Sequence, residues 1–281
     1  MAFDRPKVMG ILNITPDSFY AESRKQEEDV ILNRATEILQ EGADIIDFGA
    51  YSTRSGAISV TIEEEMSRLR KGLELVTQEY PHAVISVDTF RADVAKMCVE
   101  EYGVAIINDI SAGGFDERMF QTIANLHVPY VITHSNGKKG NLHTPTEYDN
   151  IMHDMVVFFA ERVNLLHGMG VCDVILDPGF GFSKSLDQNY TVMANLHYLK
   201  EFNLPLMVGV SRKSMIYNLL ATNPEGALNG TMVLNTLALM NDDVNILRVH
   251  DVKQCVEVVK IVEKVKQSVL NKDNYVRFWN K

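Results

Sequence analysis

Cysteine and long hydrophobic runs are both scarce in this chain of 281 residues. The three cysteines, Cys98, Cys172 and Cys255, are an odd number and form no C-x-x-C pair, which argues against a disulfide framework, a zinc knuckle and a dithiol redox site. We expect three reduced, mostly buried thiols. No stretch approaches the roughly 18 apolar residues of a membrane span, and the N-terminal apolar run is too short for a signal peptide. These absences predict a soluble cytoplasmic protein with no membrane contact.

Basic residues are also in short supply. Lys and Arg total 27 against 37 Asp and Glu, which gives a formal net charge of −10. A general nucleic-acid binder needs a basic face, so this balance argues against nucleic acid as a partner. An anionic small molecule is compatible with it, because a few local cations can reverse the field inside one cleft. The chain has neither G-x-G-x-x-G nor G-x-x-x-x-G-K-[ST], so a dinucleotide fold and a P-loop are not supported.

The chain does contain a regular alternation of two patterns. Short apolar runs without polar alternation are typical of strands covered on both faces, as in parallel sheets. Eight such runs are predicted strands: Val8–Asn13, Asp44–Gly49, Val84–Asp88, Ala105–Asp109, Tyr130–His134, Val174–Asp177, Leu206–Val210 and Ile246–His250. Eight segments with apolar residues three and four apart are predicted helices: Ile31–Glu41, Thr61–Tyr80, Ala92–Tyr102, Glu117–Leu126, Asn150–Leu166, Gln188–Glu201, Thr231–Met240 and Val252–Leu270.

Local signals support several of the helix ends. Thr61 followed by Glu64 resembles a capping box at the start of the second predicted helix. Gly42, Gly103 and Gly168 follow helix patterns, where a left-handed residue commonly ends a helix.

Strict strand–helix alternation implies a parallel sheet. Eight such units in about 250 residues are more typical of a (β/α)8 barrel than of an open sheet. No linker, low-complexity tract or shift in composition divides the chain. The sequence therefore predicts an α/β protein made of a single (β/α)8 TIM-barrel domain over residues 1–281.

Polar side chains end all the predicted strands. In such barrels the chemistry lies at the carboxyl ends of the strands and in the loops that follow. Any one of these residues is as readily a solvated strand end or a helix cap, but the whole set indicates a functional mouth. The set is Asn13, Asp47, Asp88, Asn108 with Asp109, His134, Asp177, Ser211 with Lys213, and Arg248 with His250.

Cations concentrate at one side of this mouth. Lys213, Arg248 and His250 follow strands seven and eight, where many barrels bind phosphate, and this favours anion binding. Arg54 offers a planar fork suited to phosphate, although a surface arginine on a loop is at least as consistent with the spacing. Asn13 could ligate a hard metal through its amide oxygen.

Two further features at strand ends have alternative interpretations. The run DPGFGF at 177–182 has glycines that let the backbone approach a ligand and phenylalanines able to stack on it, although turn geometry explains the glycines equally well. A lone histidine at a strand end, such as His134, is more often a hydrogen-bonded structural residue than a base.

Seven segments together resemble the dihydropteroate synthase family. They span nearly the whole chain in order, each at a predicted strand end, and their combination is far more specific than any one alone. The segments are MGILNITPDSF at 9–19, STRSGA at 52–57, SVDT at 86–89, INDIS at 107–111, DPGFGFSK at 177–184, GVSRKSMI at 209–216 and RVHDV at 248–252.

The resemblance implies a TIM barrel, usually a homodimer, that uses Mg2+ and is a target of sulfonamides. It implies the joining of 6-hydroxymethyl-7,8-dihydropterin diphosphate to p-aminobenzoate in folate biosynthesis. The implied mechanism is SN1-like: Mg2+ and local cations stabilise the leaving diphosphate, and the neutral aryl amine attacks a pterin methylene cation. The chain has no nucleophile–base motif, which agrees with this chemistry.

Site residues are carried over on the same resemblance. Those matching the pterin site are Asp88, Asn108, Asp177, Lys213 and Arg248. Those matching catalysis at the diphosphate and closure over it are Lys213, Arg248, His250, Arg54 and Asp17. Those matching the p-aminobenzoate pocket are Phe19, Thr53, Ser55, Phe182 and Ser214, and Asn13 matches a Mg2+ contact.

Several positions depart from the family pattern. Tyr20–Ser23 replaces the usual Ser-Asp-Gly-Gly, and Tyr51 stands where a glutamate is common. Ser55 replaces a proline of the aminobenzoate pocket, Ser135 replaces an apolar pterin contact, and Ser183 replaces a small residue that is often glycine. Since the pterin and diphosphate residues are retained, we expect turnover and second-substrate preference to differ more than pterin binding.

Two other functions share part of this pattern. A methyltransferase that uses methyltetrahydrofolate would need the pterin-binding carboxylate and asparagine, but neither the lysine of SRKS nor a diphosphate cluster. A paralogue that binds pterin without catalysis would explain the changed loops, but an intact diphosphate cluster has little use in it.

Overall fold

The computed structural model describes residues 3–14, 24–51, 60–137, 142–240 and 244–268. Eight parallel strands lie within these ranges: β1 (Lys7–Asn13), β2 (Ile45–Gly49), β3 (Ile85–Asp88), β4 (Ile106–Asp109), β5 (Tyr130–Thr133), β6 (Val174–Asp177), β7 (Met207–Val208) and β8 (Ile246–Val249). They form one sheet in the order β6-β5-β4-β3-β2-β1-β8-β7. All eight predicted strands are therefore confirmed, with small shifts at their ends.

The two edges of this sheet approach each other. Leu176 of β6 forms a parallel bridge to Leu206, the residue before β7, and the Leu176 amide donates to the carbonyl of Pro205 at 2.8 Å. A parallel eight-stranded sheet that joins its own edges is a barrel. The predicted (β/α)8 TIM-barrel fold is confirmed.

Helices connect successive strands. Nine α-helices lie within the described ranges: α1 (Arg24–Gln40), α2 (Ile62–Glu79), α3 (Ala92–Tyr102), α4 (Met119–Leu126), α5 (Ile151–Gly168), α6 (Leu186–Ala194), α7 (Ser214–Leu219), α8 (Leu228–Met240) and α9 (Val252–Gln267). No described helix combines the length and the apolar character needed to cross a bilayer.

Two helix predictions were wrong in detail. The strict alternation of eight helices is broken by α7, which lies with a short 3-10 turn between β7 and α8. The predicted helix Gln188–Glu201 is two pieces, because Asn195 leaves helical geometry and a 3-10 helix follows at Leu196–Phe202. Helix α9 ends at Gln267, and the predicted end at Leu270 lies outside the described residues.

The predicted capping box at α2 is only half formed. The Thr61 hydroxyl accepts from the Glu64 amide at 3.2 Å, but the Glu64 carboxylate pairs with Arg68 rather than returning to the cap. The complete box is at α6, where Ser185 and Gln188 exchange both hydrogen bonds. Caps of this kind satisfy amides that the first helical turn leaves without partners.

Two of the three glycines predicted to end helices are confirmed. Gly42 and Gly103 take positive φ values of 96° and 65°, as predicted for residues that end helices. Gly168 is instead the last residue of α5, and the positive φ falls two residues later at Gly170.

Apolar side chains fill the end of the barrel that lies opposite the mouth, near the amino-terminal ends of the strands. This layer contains Met9, Ile45, Ile106, Val131, Ile175, Met207 and Ile246. A larger core lies between the sheet and the helices and includes Cys98 and Cys255. Cys172 is exposed, so two of the three free thiols are buried as predicted. Because strand side chains alternate between two faces, the residue two positions after each member of the layer also faces the interior, nearer the mouth.

Candidate active site

Polar side chains occupy the next level of the barrel interior. Asp47, Asn108, Asp177 and Arg248 each lie two positions after a residue of the apolar layer, and Asp88 on β3 joins them. Five strands thus direct three carboxylates, an amide and a guanidinium toward one mouth.

Arg248 holds two of these carboxylates. Its Nε lies 2.7 Å from Asp47 Oδ2, and one terminal nitrogen lies 2.9 Å from Asp88 Oδ2. The Asp47 side chain is 0% exposed, whereas those of Asp88 and Arg248 are each 19% exposed. The guanidinium therefore spans β2, β3 and β8 and compensates buried negative charge in the free protein.

Two acceptor atoms in this cluster have no partner among the described residues. Asn108 donates to Asp47 Oδ2 at 3.3 Å. The other oxygen of Asp47 and the amide oxygen of Asn108 are buried without a hydrogen bond from any described residue. An unpaired buried acceptor is costly, and pairs of them at a mouth indicate where a ligand with N–H donors binds.

Burial raises the pKa of Asp88 to about 7; Arg248 opposes this rise and Asp47 adds to it. Burial also raises the pKa of Asp177, and the charge of Lys213 opposes it. Carboxyl groups whose pKa values are shifted by burial and by specific charges are typical of functional sites.

Two polar strand ends face away from the mouth, contrary to the sequence prediction. Asp109 follows Asn108 directly, so alternation turns it outward, where it accepts from the Tyr130 hydroxyl and the Ser111 amide. His134 lies outside the barrel against Phe158 of α5. Its ring is buried, and neither ring nitrogen has a hydrogen bond to a described residue. The hydrogen-bonded structural role of His134 therefore stays a prediction.

The loop after β6 holds the carboxylate of Asp177. The Gly179 amide donates to Asp177 Oδ1 at 2.8 Å, and Thr133 approaches Oδ2 at 3.5 Å. Gly179 has a φ of +67°, and a Cβ there would lie 2.1 Å from the His134 carbonyl oxygen. Only glycine can adopt this positive φ and lie so close to the His134 carbonyl oxygen. The glycine of DPG after β6 is therefore needed to hold the Asp177 carboxylate in place.

Lys213 reaches the same loop from the other side. It is the N-cap residue of α7, its ammonium donates to the Phe180 carbonyl, and its Nζ lies 4.6 Å from the centre of the Phe182 ring. Burial lowers the pKa of Lys213 to about 8, and Asp177 opposes this change. The lysine therefore stands between the Asp177 carboxylate and the Phe182 ring.

His250 contributes a neutral group rather than the predicted cation. Burial lowers its pKa to about 4, and the charge of Arg248 acts in the same direction. The Ser211 hydroxyl accepts from the His250 amide at 3.1 Å and lies 3.0 Å from Nδ1. We assign the Ser211 hydroxyl as the donor to Nδ1. The neutral ring then carries its proton on Nε2, which can donate to a ligand.

The chain matches the family model described as pterin binding enzyme over residues 9–250. It is 36% identical over 269 residues to the dihydropteroate synthase of Escherichia coli (strain K12), covering 95% of this chain and 94% of that one. It is 37% identical over 262 residues to that of Clostridium beijerinckii, covering 92% and 94%.

The chain belongs to the dihydropteroate synthase family of pterin-binding enzymes. The solved dihydropteroate synthase of Clostridium difficile, in the presence of pteroic acid, superposes with a TM-score of 0.87 at 34% identity, covering 94% of this chain and 98% of that one. The Yersinia pestis dihydropteroate synthase with a sulfonamide drug superposes at 0.87 with 36% identity, covering 96% and 97%. The family makes this chain a transferase.

Two of the predicted second-substrate residues, Phe182 and Ser214, lie within the described part of the chain. Phe182 is buried in a cluster with Phe90, Ile110 and Leu142, and Ser214 begins α7 beside Lys213. The remaining predicted residues on this side and over the diphosphate lie outside the described residues: Asp17, Phe19, Thr53, Arg54 and Ser55, together with the altered segment at 20–23.

Two of the residues that depart from the family pattern contact each other. Ser135 and Ser183 lie with their hydroxyl oxygens 3.3 Å apart, and Ser183 also donates to the Leu142 carbonyl at 3.2 Å. Ser183 has a φ of 50°, which accounts for glycine being common there. Tyr51 packs its ring edge against Phe90 at 5.1 Å between centroids.

Asn13 is the residue that the sequence predicts to contact a metal ion. It is exposed at the end of β1, and a Cβ at Gly49 would lie 2.9 Å from its Oδ1. Among the described residues no group of three or more His, Cys, Asp or Glu is arranged to hold a metal. One amide oxygen at an open mouth fits an ion that takes most of its ligands from substrate oxygens and water, as Mg2+ does.

Two residues of the site received no role from the sequence. Asp47 was recognised as a polar strand end, and its pairing with Arg248 shows that it belongs to the charged cluster. Lys184 ends the matching segment DPGFGFSK, but its side chain is only 5% exposed and its contacts are all in the surrounding loops. A lysine next to a glycine-rich turn is ordinarily a surface residue, so only the structure distinguishes it.

Proposed function

We propose that the chain condenses 6-hydroxymethyl-7,8-dihydropterin diphosphate with p-aminobenzoate to give 7,8-dihydropteroate and diphosphate. The observation that carries this proposal is the placement of acceptor groups and two cations at one barrel mouth: Asp47, Asn108 and Asp177 beside Arg248 and Lys213. Relatives that contain pteroic acid or a sulfonamide in their solved structures support it.

The acceptors match the donor edge of a pterin. The exocyclic amino group and the neighbouring ring N–H of a pterin are donors, and carboxylates are acceptor-only partners. Asp177 supplies one carboxylate, and the unpaired oxygens of Asp47 and Asn108 supply two more acceptors. Pterin binding would give these buried atoms the hydrogen bonds that no described residue supplies.

The cations act on the departing group. The bond between the pterin methylene carbon and the diphosphate oxygen breaks, and its electron pair leaves with the diphosphate. The aryl amine forms the new C–N bond and then loses a proton. Lys213 and Arg248 stabilise the charge that develops on the diphosphate, and His250 donates from Nε2. No side chain forms a bond to the substrate.

Mg2+ is part of the proposal. Asn13 would hold it through one neutral amide oxygen, and the anionic ligands would be diphosphate oxygens. When bound, Mg2+ neutralises charge on the diphosphate and so favours its departure.

The second substrate is proposed to lie against Phe182 and Ser214, with Phe19, Thr53 and Ser55 completing its pocket. Phe182 offers an apolar face, and the Lys213 ammonium lies over that ring. The Yersinia pestis relative is solved with a sulfonamide drug, and we propose that such drugs compete with p-aminobenzoate on this side of the mouth.

One assay tests this function directly. Purified protein is mixed with both substrates and Mg2+, and dihydropteroate and diphosphate are measured together. Equal amounts of the two products support the synthase. Pterin binding without product would favour the non-catalytic paralogue. Methyl transfer from methyltetrahydrofolate would favour the methyltransferase, although Lys213 and Arg248 have no purpose in that reaction.

We expect pterin affinity to rise as pH rises through about 7. Below that value Asp88 is protonated, because burial raises its pKa, and above it the carboxylate is an acceptor-only partner. Binding a donor-rich ligand lowers the pKa, so protons are released on binding near pH 7. Calorimetry of 6-hydroxymethylpterin in two buffers of different ionisation enthalpy measures this release. Asp88→Asn should abolish it; an unchanged release assigns the proton to another group.

The homodimer is proposed on an apolar surface of α7, α8 and α9. Exposed residues on these neighbouring helices include Leu219 (56%), Val233 (51%), Leu237 (51%), Ile261 (64%) and Val265 (50%). Several exposed apolar side chains on helices that pack against one another are typical of a protein–protein contact. A second copy of this chain is the occupant that the family resemblance implies.

Leu237→Glu should convert the dimer to monomer. An unpaired charge buried at the interface should raise the dimer dissociation constant by about 100-fold or more. Sedimentation at several concentrations measures it. Val157→Glu is the matched control, because Val157 is 42% exposed on α5, away from these helices. A monomeric wild type, or equal effects of both variants, would contradict the surface.

A further inference from the structure

Lys184 is a buried cation that the proposed chemistry does not use. Its side chain is 5% exposed, although lysine is almost never buried without partners. The ammonium lies 2.9 Å from the Gly179 carbonyl oxygen, 3.1 Å from that of His134 and 3.1 Å from that of Phe182. Three acceptors use all three donors of the ammonium, so the group is fully satisfied by the protein itself.

The three carbonyls belong to two different loops. Gly179 and Phe182 lie in the loop between β6 and α6, whereas His134 follows β5. The same loop supplies the Gly179 amide that holds the Asp177 carboxylate and the ring of Phe182 near Lys213. Lys184 therefore links the ends of β5 and β6. The β6–α6 loop that it holds positions Asp177, proposed to bind the pterin, and Phe182, proposed to bind the aryl amine.

The backbone needs a cation at this point. Gly179 approaches the His134 carbonyl so closely that a Cβ there would lie 2.1 Å from its oxygen. The carbonyl oxygens of Gly179, His134 and Phe182 converge on one point, and their partial negative charges repel each other without a positive group between them. Burial lowers the pKa of Lys184 to about 7, and the nearby carboxylate of Asp177 opposes this change.

We propose that Lys184 is a positioning residue, whose ammonium fixes the β6–α6 loop so that Asp177 and Phe182 face the two substrates. This inference rests on the proposed function. Lys184 touches neither substrate, since its three donors are committed to carbonyls. Its effect is geometric, and displacements of about 1 Å at a site can cost about 100-fold in rate.

Chemical rescue tests this role. Lys184→Ala removes a propylammonium-sized group, so we expect kcat/KM for the pterin diphosphate to fall about 100-fold and 6-hydroxymethylpterin to bind more weakly by calorimetry. Adding n-propylammonium should restore at least tenfold of the loss in a saturable manner, whereas 1-propanol of the same length should not. Lys96→Ala, at an exposed lysine of α3, is the matched control and should behave as wild type.

The outcomes separate this inference from the proposed function. An inactive wild type contradicts the function itself. An active wild type with a folded Lys184→Ala variant within threefold of it overturns the positioning role, as does equal rescue by propanol. If Lys184→Ala is recovered unfolded, Lys184→Met keeps the apolar stem and decides: loss of pterin affinity with a native near-ultraviolet spectrum supports the role. Wild-type affinity, or an unfolded Lys184→Met protein, overturns it.

Discussion

Arg248→Met is expected to reduce kcat/KM by about 1,000-fold and to weaken the pterin diphosphate more than free 6-hydroxymethylpterin. The substitution removes a cation from the proposed diphosphate side, where losing one stabilising donor costs about 100- to 1,000-fold. It also leaves Asp47 and Asp88 without the guanidinium that spans them. Breaking a buried pair from one side costs about 3–5 kcal/mol, so the free energy of unfolding should fall measurably.

A double variant separates the two effects. Arg248→Met combined with Asp47→Asn removes one of the two uncompensated carboxylates, so part of the lost stability should return while activity stays low. Calorimetry with both ligands and chemical denaturation of each variant give the comparison. Equal weakening of the two ligands would mean that Arg248 contacts the pterin alone, and the diphosphate role would then be wrong.

Asp177→Asn is expected to weaken binding of 6-hydroxymethylpterin by about 1–3 kcal/mol, which is roughly fivefold to 150-fold. The asparagine oxygen can keep the hydrogen bond from the Gly179 amide. The new NH2 group then faces the pterin donors, where the carboxylate had offered an acceptor. The variant should fold as wild type, because the loop contact is retained.

The matched control for this variant is Thr133→Val. Thr133 lies 3.5 Å from the outer Asp177 oxygen and keeps its volume in this substitution. It should change pterin affinity by less than about threefold, since a contact at that distance is weak. Unchanged affinity of Asp177→Asn by calorimetry would remove Asp177 from the pterin site.

The strands and their order along the chain were predictable because their signals are local. A run such as Val174–Asp177 is short, continuous and apolar, and a run of this kind recurs at each strand. Alternation then decides which polar residues share the mouth. Asn108 faces the barrel interior and donates a hydrogen bond to Asp47. Its neighbour Asp109 faces outward and accepts a hydrogen bond from the Tyr130 hydroxyl.

Other features depend on contacts that no local pattern contains. Helix α7 has only six residues, too few for its apolar spacing to register as a helix. Lys184 becomes a buried cation only when two loops, more than 40 residues apart in sequence, converge on it. His250 is neutral chiefly because the fold buries its ring. Burial and neighbouring charge are properties of the assembled barrel.

The guanidinium that spans Asp47 and Asp88 also bears on how inhibitors would work. The side chains proposed to bind the pterin are held by strands and by an ion-paired network before any ligand binds. A ligand for this side meets a preorganised surface, and little conformational freedom is lost when it binds. A heterocycle of fragment size with two adjacent donors should therefore reach a high affinity per atom, without needing contact with the aryl amine side of the mouth.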